Sequence, residues 1–264
     1  MTETGTYLYA VGKQTPWLPD VNGVADAAVR TLPRSGLVAY VSTVSLDEFG
    51  EAAARRNMED LSWLERMARA HDRVVEAITR QTPTAPVRFL AVYAGDARVQ
   101  DLLDRKYEDF ATVLDSVTGR TEWGVKVYAD PAALTAPDAG SGESDKEGGE
   151  KPGTAYLLRR KAASRRREDV QSEATAKAEG IFQSLSKVAS ASRRHRPQDP
   201  RLSGRNDWMV LNAAYLVDDE RNDEFAAAVA AIEVDGFDVE LTGPWAPYSF
   251  TDIDLSTPDQ ETPR

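Results

Sequence analysis

The sequence predicts an α+β protein built from two domains. Helix patterns and short strand patterns alternate over short connections, which is typical of an α+β sandwich rather than a helix bundle or an all-β barrel. The chain has 264 residues, more than the roughly 100 to 150 of most single domains. Residues 131–153 are dense in Gly, Ser, Pro and acidic residues, as expected of a disordered linker. We therefore expect domains over residues 1–130 and 154–250, and a disordered tail over 251–264.

Two strands and a capped helix are predicted near the N-terminus. Residues 6–11 alternate aromatic and apolar side chains, with Tyr7, Tyr9 and Val11 on one face, and residues 37–44 are rich in β-branched residues. The stretch 24–32 between them could form a short helix. Ser45 and Glu48 have the spacing of a capping box, in which the serine caps the N3 amide and the glutamate returns to the cap amide. A helix should begin there.

The rest of the N-terminal domain continues the alternation of helix and strand. Apolar residues recur at helical spacing over 58–80, with His71 on the apolar face. Prolines then end the helix, and "PVRFLAVYA", residues 86–94, is predicted as a strand. A second amphipathic helix over 99–117 leads to the strand "TEWGVKVYA", residues 121–129.

The C-terminal domain is predicted to begin with one long helix. Residues 156–194 carry apolar positions at helical spacing. The segment "WMVLNAAYLV", residues 208–217, alternates well enough for a central strand. A helix over 219–232 and the strand "DVELT", residues 238–242, follow. The strand runs directly into "LTGPWAPYSF" at residues 241–250.

Composition excludes several classes of partner and compartment. The net charge of -11 and a pI near 4.8 argue against nucleic acid, because phosphate binding needs a positive footprint. The absence of cysteine excludes disulfides, thiolate metal sites and cysteine nucleophiles. The N-terminus lacks a secretory pattern, and no stretch approaches the roughly 20 apolar residues of a membrane span. We expect a cytoplasmic protein with no membrane association.

No motif for catalysis, a cofactor or a metal is visible. The two histidines, His71 and His195, fall in different predicted domains, so they cannot form a multi-histidine metal site. We interpret His71 as a hydrogen-bonded core histidine and His195 as a solvated loop residue. The sequence shows no serine-nucleophile motif, phosphate-binding loop or EF-hand. With 43 Asp and Glu residues, a catalytic pair of carboxylates stays open.

Two charged features are candidate partner contacts. The run "RRKAASRRR", residues 159–167, is strongly basic in an acidic protein. It is either a solvated face balanced by the following acids or a dock for an acidic partner, and the dock would use Arg165, Arg166 and Arg167. Arg88 is the one charge in a mostly apolar strand. It either neutralises a buried carboxylate or, together with Phe89, contacts a partner.

The aromatic motif "LTGPWAPYSF" also allows two interpretations. Gly243 and Pro244 should end the strand. Trp245 and Tyr248 could then fold back as a rigid latch over the core of their own domain. Alternatively Trp245, Pro247 and Tyr248 form an exposed hook that binds a partner.

Taken together, these segments resemble the gas vesicle protein L/F family. The resemblance rests on five motifs, in family order across nearly the whole chain: "TAPVRFLAVYAGDARVQDLL", "GRTEWGVKVYAD", "AYLLRRK", "DPRLSGRNDWMVLNAAYLVD" and "LTGPWAPYSF". The chain departs from the family pattern at two places. Ala246 and Pro247 replace a Pro-Pro pair, and Leu90 replaces a glycine.

The resemblance implies a non-enzymatic accessory protein of gas vesicle assembly, cytoplasmic and associated with the vesicles. It implies two α+β domains, the C-terminal one ferredoxin-like with a long preceding helix, joined by a flexible linker. The implied partners are the gas vesicle shell protein and other accessory gas vesicle proteins, and association with a second copy stays open. We hypothesise that an open sheet edge or an aromatic surface holds nascent shell subunits.

Two other functions compete with this hypothesis. One is a ligand-binding or enzymatic ferredoxin-like module with a carboxylate-lined cleft, supported by fold analogy alone. The other is a regulatory module that senses a small molecule and signals through the linker.

Overall fold

A computed structural model describes the protein over residues 3–13, 17–130, 134, 152–197 and 207–255. The chain divides into two compact units, one formed by residues 1–122 with 244–264 and the other by residues 123–243. Each unit contains strands of an antiparallel sheet together with helices, so the predicted α+β fold class is confirmed. Of the helices in the described part of the chain, none is long and apolar enough to cross a membrane.

The first unit is built on a five-stranded sheet. Its strands are β1 (Thr4–Lys13), β2 (Arg30–Arg34), β3 (Leu37–Ser45), β4 (Thr84–Pro86) and β5 (Val92–Tyr93). The order across the sheet is β2-β3-β1-β4, and β5 also pairs with β1. β1 lies at the centre because it carries the longest run of buried residues, from Gly5 to Gly12, as expected of a strand covered on both faces.

Helices cover both faces of this sheet. They are α1 (Leu46–Phe49), α2 (Glu51–Asn57), α3 (Leu61–Thr79), α4 (Asp96–Arg105) and α5 (Tyr107–Val117). α3 packs with Tyr7 and Tyr9 in one core, and α4 and α5 pack with Leu8 and Val11 in the other. The prediction that Val11 shares a face with the two tyrosines is wrong, because a register shift between Leu8 and Ala10 moves it to the opposite face.

The second unit contains a four-stranded sheet. Its elements are β6 (Arg120–Ala129), α6 (Pro152–Ser186), β7 (Ala191–Arg194), β8 (Trp208–Asp218), α7 (Asn222–Ala230) and β9 (Phe237–Trp245). The strand order is β7-β8-β6-β9. The core joins one face of β6 and β8 to α6 and α7, with Tyr215 and Phe225 fully buried at its centre. The predicted buried positions of the long helix from Val170 to Leu185 are confirmed.

Two predicted elements differ from the structure in the first unit. The predicted helix over 24–32 is only a 3-10 turn at Val24–Asp26, and the residues from Arg30 join β2 because they pair with β3. The predicted strand over 86–94 is broken between β4 and β5. Leu90 interrupts it with a φ of 70°, a left-handed conformation that costs a residue with a Cβ about 1–2 kcal/mol. A glycine, which the family pattern has at this position, would avoid that cost.

Helix boundaries differ as well. The predicted helix over 99–117 is two helices that meet at Lys106. The long helix ends at Ser186, because residues 191–194 pair with β8 and form β7. Ser45 caps α1 as predicted, but its Oγ accepts the N–H of Asp47. Glu48 does not close the capping box, because its carboxylate accepts the indole N–H of Trp63 at 2.7 Å.

The division into units also differs from the predicted domains at two places. The prediction groups all of β6 with the N-terminal domain, whereas its residues from Trp123 onward belong to the second unit. It groups residues 244–250 with the C-terminal domain, whereas they belong to the first unit. Most of the predicted linker, 131–153, and the last part of the tail, 256–264, lie outside the described residues.

Candidate functional site

A cluster of aromatic rings around His71 forms the centre of the first unit. Tyr7 and Tyr9 point from β1 towards α3, where the ring centroid of His71 lies 5.8 Å from that of Tyr7 and 5.6 Å from that of Tyr9. The ring of Phe89 lies edge-on to His71 at 5.9 Å. The imidazole is only 1% exposed. Rings at these distances and tilts attract one another beyond the burial of their surface.

Hydrogen bonds fix the polar atoms of this cluster. The hydroxyl of Tyr7 accepts the backbone N–H of Leu90 at 3.1 Å and lies 3.0 Å from Nδ1 of His71. Burial lowers the pKa of His71 to about 4, so the ring is neutral at pH 7. The prediction of a hydrogen-bonded core histidine is therefore confirmed.

Tyr9 is also held by hydrogen bonds. Its hydroxyl donates to the hydroxyl of Ser42 and accepts the backbone N–H of Val24, both at 3.0 Å. Gly23 allows this close approach, since a Cβ there would lie 1.9 Å from the tyrosine oxygen. Burial raises the pKa of both Tyr7 and Tyr9, so neither ionises at neutral pH.

Residues 244–255, which we call the C-terminal strap, cover this core. Gly243, with a φ of 120°, and Pro244 lie within β9, which continues to Trp245, so the prediction that they end the strand is wrong. Ala246 and Pro247 are buried, and Ala246 belongs to the core that contains His71. The ring of Tyr248 lies 6.3 Å from that of His71, and its hydroxyl bonds to the Asp72 carboxylate at 3.2 Å.

A buried carboxylate anchors the middle of the strap. Glu122 is 7% exposed. It accepts the backbone N–H of Ser249 at 2.9 Å and the Ser249 hydroxyl at 2.6 Å. These two hydrogen bonds satisfy oxygens of a carboxyl group that is largely out of water.

The end of the strap crosses to the other face of the sheet. The hydroxyl of Thr251 donates to the carbonyl of Pro86 at 3.3 Å. Arg88 pairs with Asp252 at 3.1 Å. Ile253 and Leu255 pack against the core formed with α4 and α5. The predicted tail is therefore in contact with the first unit as far as Leu255.

The structure places the candidate contact residues in two groups. Arg88, Phe89, Pro247 and Tyr248 gather at the strap. The Arg88 pair is exposed at both partners, with 89% and 61% of the side-chain surface accessible, so Arg88 does not neutralise a buried carboxylate and the pair adds little stability. Phe89 is half-buried and Pro247 is buried.

The aromatic motif is divided between the two predicted roles. Tyr248 acts as a latch through its contacts with His71 and Asp72, but the core that it covers is that of the first unit. The sequence placed the latch over the core of the domain that contains the preceding strand. Trp245 is 52% exposed, the exposure expected of the hook.

The second group lies on the N-terminal half of α6, which we call the basic half-helix, residues 152–169. Arg165 and Arg166 are exposed on it. Arg167 lies in the helix, but its side chain is outside the described part of the structure. The first buried residue of α6 is Val170. All six described side chains before it are exposed, at positions 161, 164, 165, 166, 168 and 169.

Sequence reasoning missed the residues that hold the strap. Glu122, Asp72 and Asp252 are ordinary acids in a chain with 43 of them, and their partners lie far along the chain. No spacing in a single sequence marks such a pair. Within the described ranges, no group of three or more His, Asp or Glu residues is arranged to hold a metal ion.

Comparison with known proteins identifies the family. The model of the gas vesicle synthesis protein GvpL/GvpF family matches residues 5–252, which include the basic half-helix and the strap as far as Asp252. The chain belongs to the GvpL/GvpF family. This confirms the resemblance drawn from the five sequence motifs.

Individual relatives match the GvpL/GvpF chain along its length. It is 41% identical to gas vesicle protein L of Streptomyces sp. (strain CB03234) over 254 residues, covering 96% of this chain and 94% of the relative. It is 24% identical to gas vesicle protein F1 of Halobacterium salinarum over 270 residues, covering all of both chains. Family membership supports a role in gas vesicle assembly.

Solved structures show the same fold. The crystal structure of gas vesicle protein GvpF from Anabaena sp. PCC7120 superposes with a TM-score of 0.69 at 20% identity, covering 95% of this chain and 97% of that one. GvpF from Microcystis aeruginosa gives a TM-score of 0.65 at 19% identity, covering 94% and 99%.

Proposed function

We propose that this GvpL/GvpF chain is a non-enzymatic accessory protein that binds the gas vesicle shell protein, other vesicle proteins, or both during nucleation and growth. The observation that carries the proposal is the family match over residues 5–252, together with 41% identity to a gas vesicle protein L. The chain would act in the cytoplasm, at the vesicles.

The edge of the second sheet is the proposed binding surface. β9 stands last in the strand order and pairs with β6 alone among the described strands. Nine residues long, it can offer backbone N–H and C=O groups to an extended segment of a partner, as in strand addition. Trp245, half exposed at the end of β9, would add an aromatic contact next to that edge.

The second unit supports the proposed ferredoxin-like fold. Its elements run β-α-β-β-α-β, and the strand order β7-β8-β6-β9 places the first and third strands of that sequence at the centre. This is the arrangement of the split βαβ motif. In this assignment the long helix α6 is the first helix of the motif and does not precede the domain.

A non-enzymatic role agrees with how the first unit uses its titratable groups. His71 is neutral and enclosed by aromatic rings, and Glu122 is engaged by Ser249. Both faces of the five-stranded sheet pack against helices. The enzyme alternative would need a cleft with converging carboxylates, so it gains no support from these contacts.

Co-purification tests the proposal. Tagged full-length chain, co-expressed with the shell protein and the other vesicle proteins, should recover at least one of them. Trp245→Ala should reduce recovery several-fold, because truncating a central aromatic contact is among the costliest interface changes. The matched control is Leu61→Ala on α3, which removes another exposed large apolar side chain, 76% accessible. Recovery of no vesicle protein, together with normal vesicles in a deletion strain, would contradict the proposal.

A further inference from the structure

The basic half-helix carries exposed positive charges. Several helix cations elsewhere in the described chain pair with acids one turn away, as in Arg55–Glu51, Arg69–Glu65 and Lys177–Glu173. On the basic half-helix, Lys161, Arg165 and Arg166 are exposed and pair with no acid among the described residues. Lys161 and Arg165 stand four residues apart, a spacing at which like charges destabilise a helix.

The charges of the half-helix contrast with the rest of the chain. The half-helix contains six cations at positions 159–167 and two acids, Glu168 and Asp169, at its end, which gives it a net charge of +4. Removing those six charges from the total of -11 leaves -17 on the remainder. A strongly acidic protein that concentrates its positive charge on one exposed rod is complementary to its own remaining surface.

An acidic surface without any cation of its own lies around the start of β9 in the same unit. Residues 231–240 contain Glu233, Asp235, Asp238 and Glu240 and no cation. Glu233, Asp235 and Asp238 are exposed. Glu240 lies 3.9 Å from Lys126, so the pair leaves this surface with a net negative charge. We call residues 231–240 the acidic turn.

Helix geometry keeps the two surfaces of one chain apart. The ring of Phe237, within the acidic turn, lies 5.4 Å from Nζ of Lys177 on α6. Arg194, at the end of β7, pairs with Glu179, which lies only two residues after Lys177 on α6. Arg165 and Arg166 are 11 and 12 residues before Lys177, which places them about 17 Å further along the helix axis at 1.5 Å per residue. The half-helix therefore lies beyond the level of Phe237 and of the end of β7.

We propose that the basic half-helix of one chain docks on the acidic turn of a second copy of the same chain. In this proposal the docking is reciprocal, each half-helix lying on the acidic turn of the other copy, so that two copies form the contact twice in a closed two-fold pair. The contact is electrostatic, so salt weakens it. It is separate from the proposed binding of vesicle proteins, and it can fail while that binding holds.

Sedimentation of the purified full-length chain tests self-association. In 50 mM NaCl the mass should rise with protein concentration towards twice the 29.0 kDa of one chain, and 500 mM NaCl should return it to the monomer. Arg165→Glu with Arg166→Glu should weaken association at least tenfold at low salt. The matched control is Arg66→Glu with Arg73→Glu, which makes the same charge change on exposed positions of α3 and should leave association unchanged.

A complementation experiment makes the test specific for this pair of surfaces. Glu233→Arg with Asp235→Arg should also weaken self-association at least tenfold, since it brings the net charge of the acidic turn from -4 to zero. Mixing this variant with the Arg165→Glu, Arg166→Glu variant should restore a dimer in part, because the unchanged half-helix of the first variant meets the unchanged acidic turn of the second. A wild type that stays monomeric at about 100 μM, a control that weakens association equally, or a mixture that stays monomeric overturns the proposal.

Discussion

The C-terminal strap and the basic half-helix are the two regions that the sequence marks for partner binding, and the structure treats them in opposite ways. The strap places its aromatic and polar groups against the first unit, where Tyr248 meets Asp72 and Ser249 meets Glu122. The half-helix leaves Arg165 and Arg166 exposed and unpaired among the described residues. A polar group that forms its hydrogen bonds within the chain contributes to the stability of the fold. An exposed charge on a helix that pairs with no acid of its own chain is available to a partner.

The difference gives each region its own measurable signature. Changes in the strap should lower the stability of the first unit and leave salt-dependent self-association intact in the folded protein. Changes on the half-helix should weaken self-association and leave the stability of the first unit intact. The predictions below concern the strap and the core that it covers, from the largest expected effect to the smallest.

Removing the strap should have the largest effect. A chain that ends at Gly243 loses the buried contacts of Ala246, Tyr248, Ile253 and Leu255, and it loses the two hydrogen bonds from Ser249 to Glu122. We expect the free energy of unfolding to fall by about 4 kcal/mol, from the exposed apolar surface and the lost hydrogen bonds. Urea denaturation measures the free energy of unfolding. A chain that ends at Leu255 is the control and should unfold with the same free energy as the full chain. An equal loss of stability in the two truncated chains would show that the strap does not stabilise the first unit.

The burial of His71 should make the stability of the protein depend on pH. The pKa of His71 is about 4 when folded and 6.5 in its unperturbed form, so the unfolded chain binds the extra proton between these values. Stability is fully present above pH 6.5 and is lost as the pH falls to about 4, by roughly 3 kcal/mol.

The variant His71→Gln isolates this contribution. Burial raises the pKa of the neighbouring Asp72, which acts with the opposite sign, but Asp72 is present in both proteins and cancels in the difference. We expect the difference in unfolding free energy between wild type and variant to narrow from pH 7 to pH 4. Parallel curves would show that His71 is not enclosed.

Glu122→Ala should cost about 2 kcal/mol, because it leaves the Ser249 N–H and hydroxyl without a shared acceptor. Ser249→Ala completes a double-mutant cycle measured by urea denaturation. A coupling energy near zero would mean that Glu122 and Ser249 do not interact. The strap would then, like the half-helix, carry polar groups that contribute nothing to the stability of the chain.

Tyr248→Phe should have the smallest effect, about 1 kcal/mol, since it deletes one hydrogen bond to Asp72 and keeps the ring against His71. Thermal unfolding of the variant can be compared with that of Tyr107→Phe. The hydroxyl of Tyr107 belongs to a similarly exposed side chain, 39% against 37%, on α5. An equal loss of stability in the two variants would mean that the hydroxyl of Tyr248 does not help to hold the strap in place.

Local pattern predicted most elements, and it was wrong where a distant partner decided. The strand at β1, the cap at Ser45 and the buried spacing of α6 are local, and they are confirmed, although the alternation predicted within β1 fails at Val11. Residues 191–194 continue a helical pattern but form β7, because β8 supplies the pairing. Leu90 breaks a strand-like segment through a left-handed backbone, stabilised by the Tyr7 hydroxyl on its N–H.

The sequence alone determined the fold class, the family and the location of the strongest positive charge, because these depend on composition and on motifs that are contiguous in the chain. Only the tertiary structure decided that Tyr248 covers the core containing His71 and that Glu122 holds Ser249. It also decided that the half-helix keeps its charges exposed. A hydrogen bond or a ring contact depends on distance in space, and residues 127 or 177 positions apart carry no local signal of that distance.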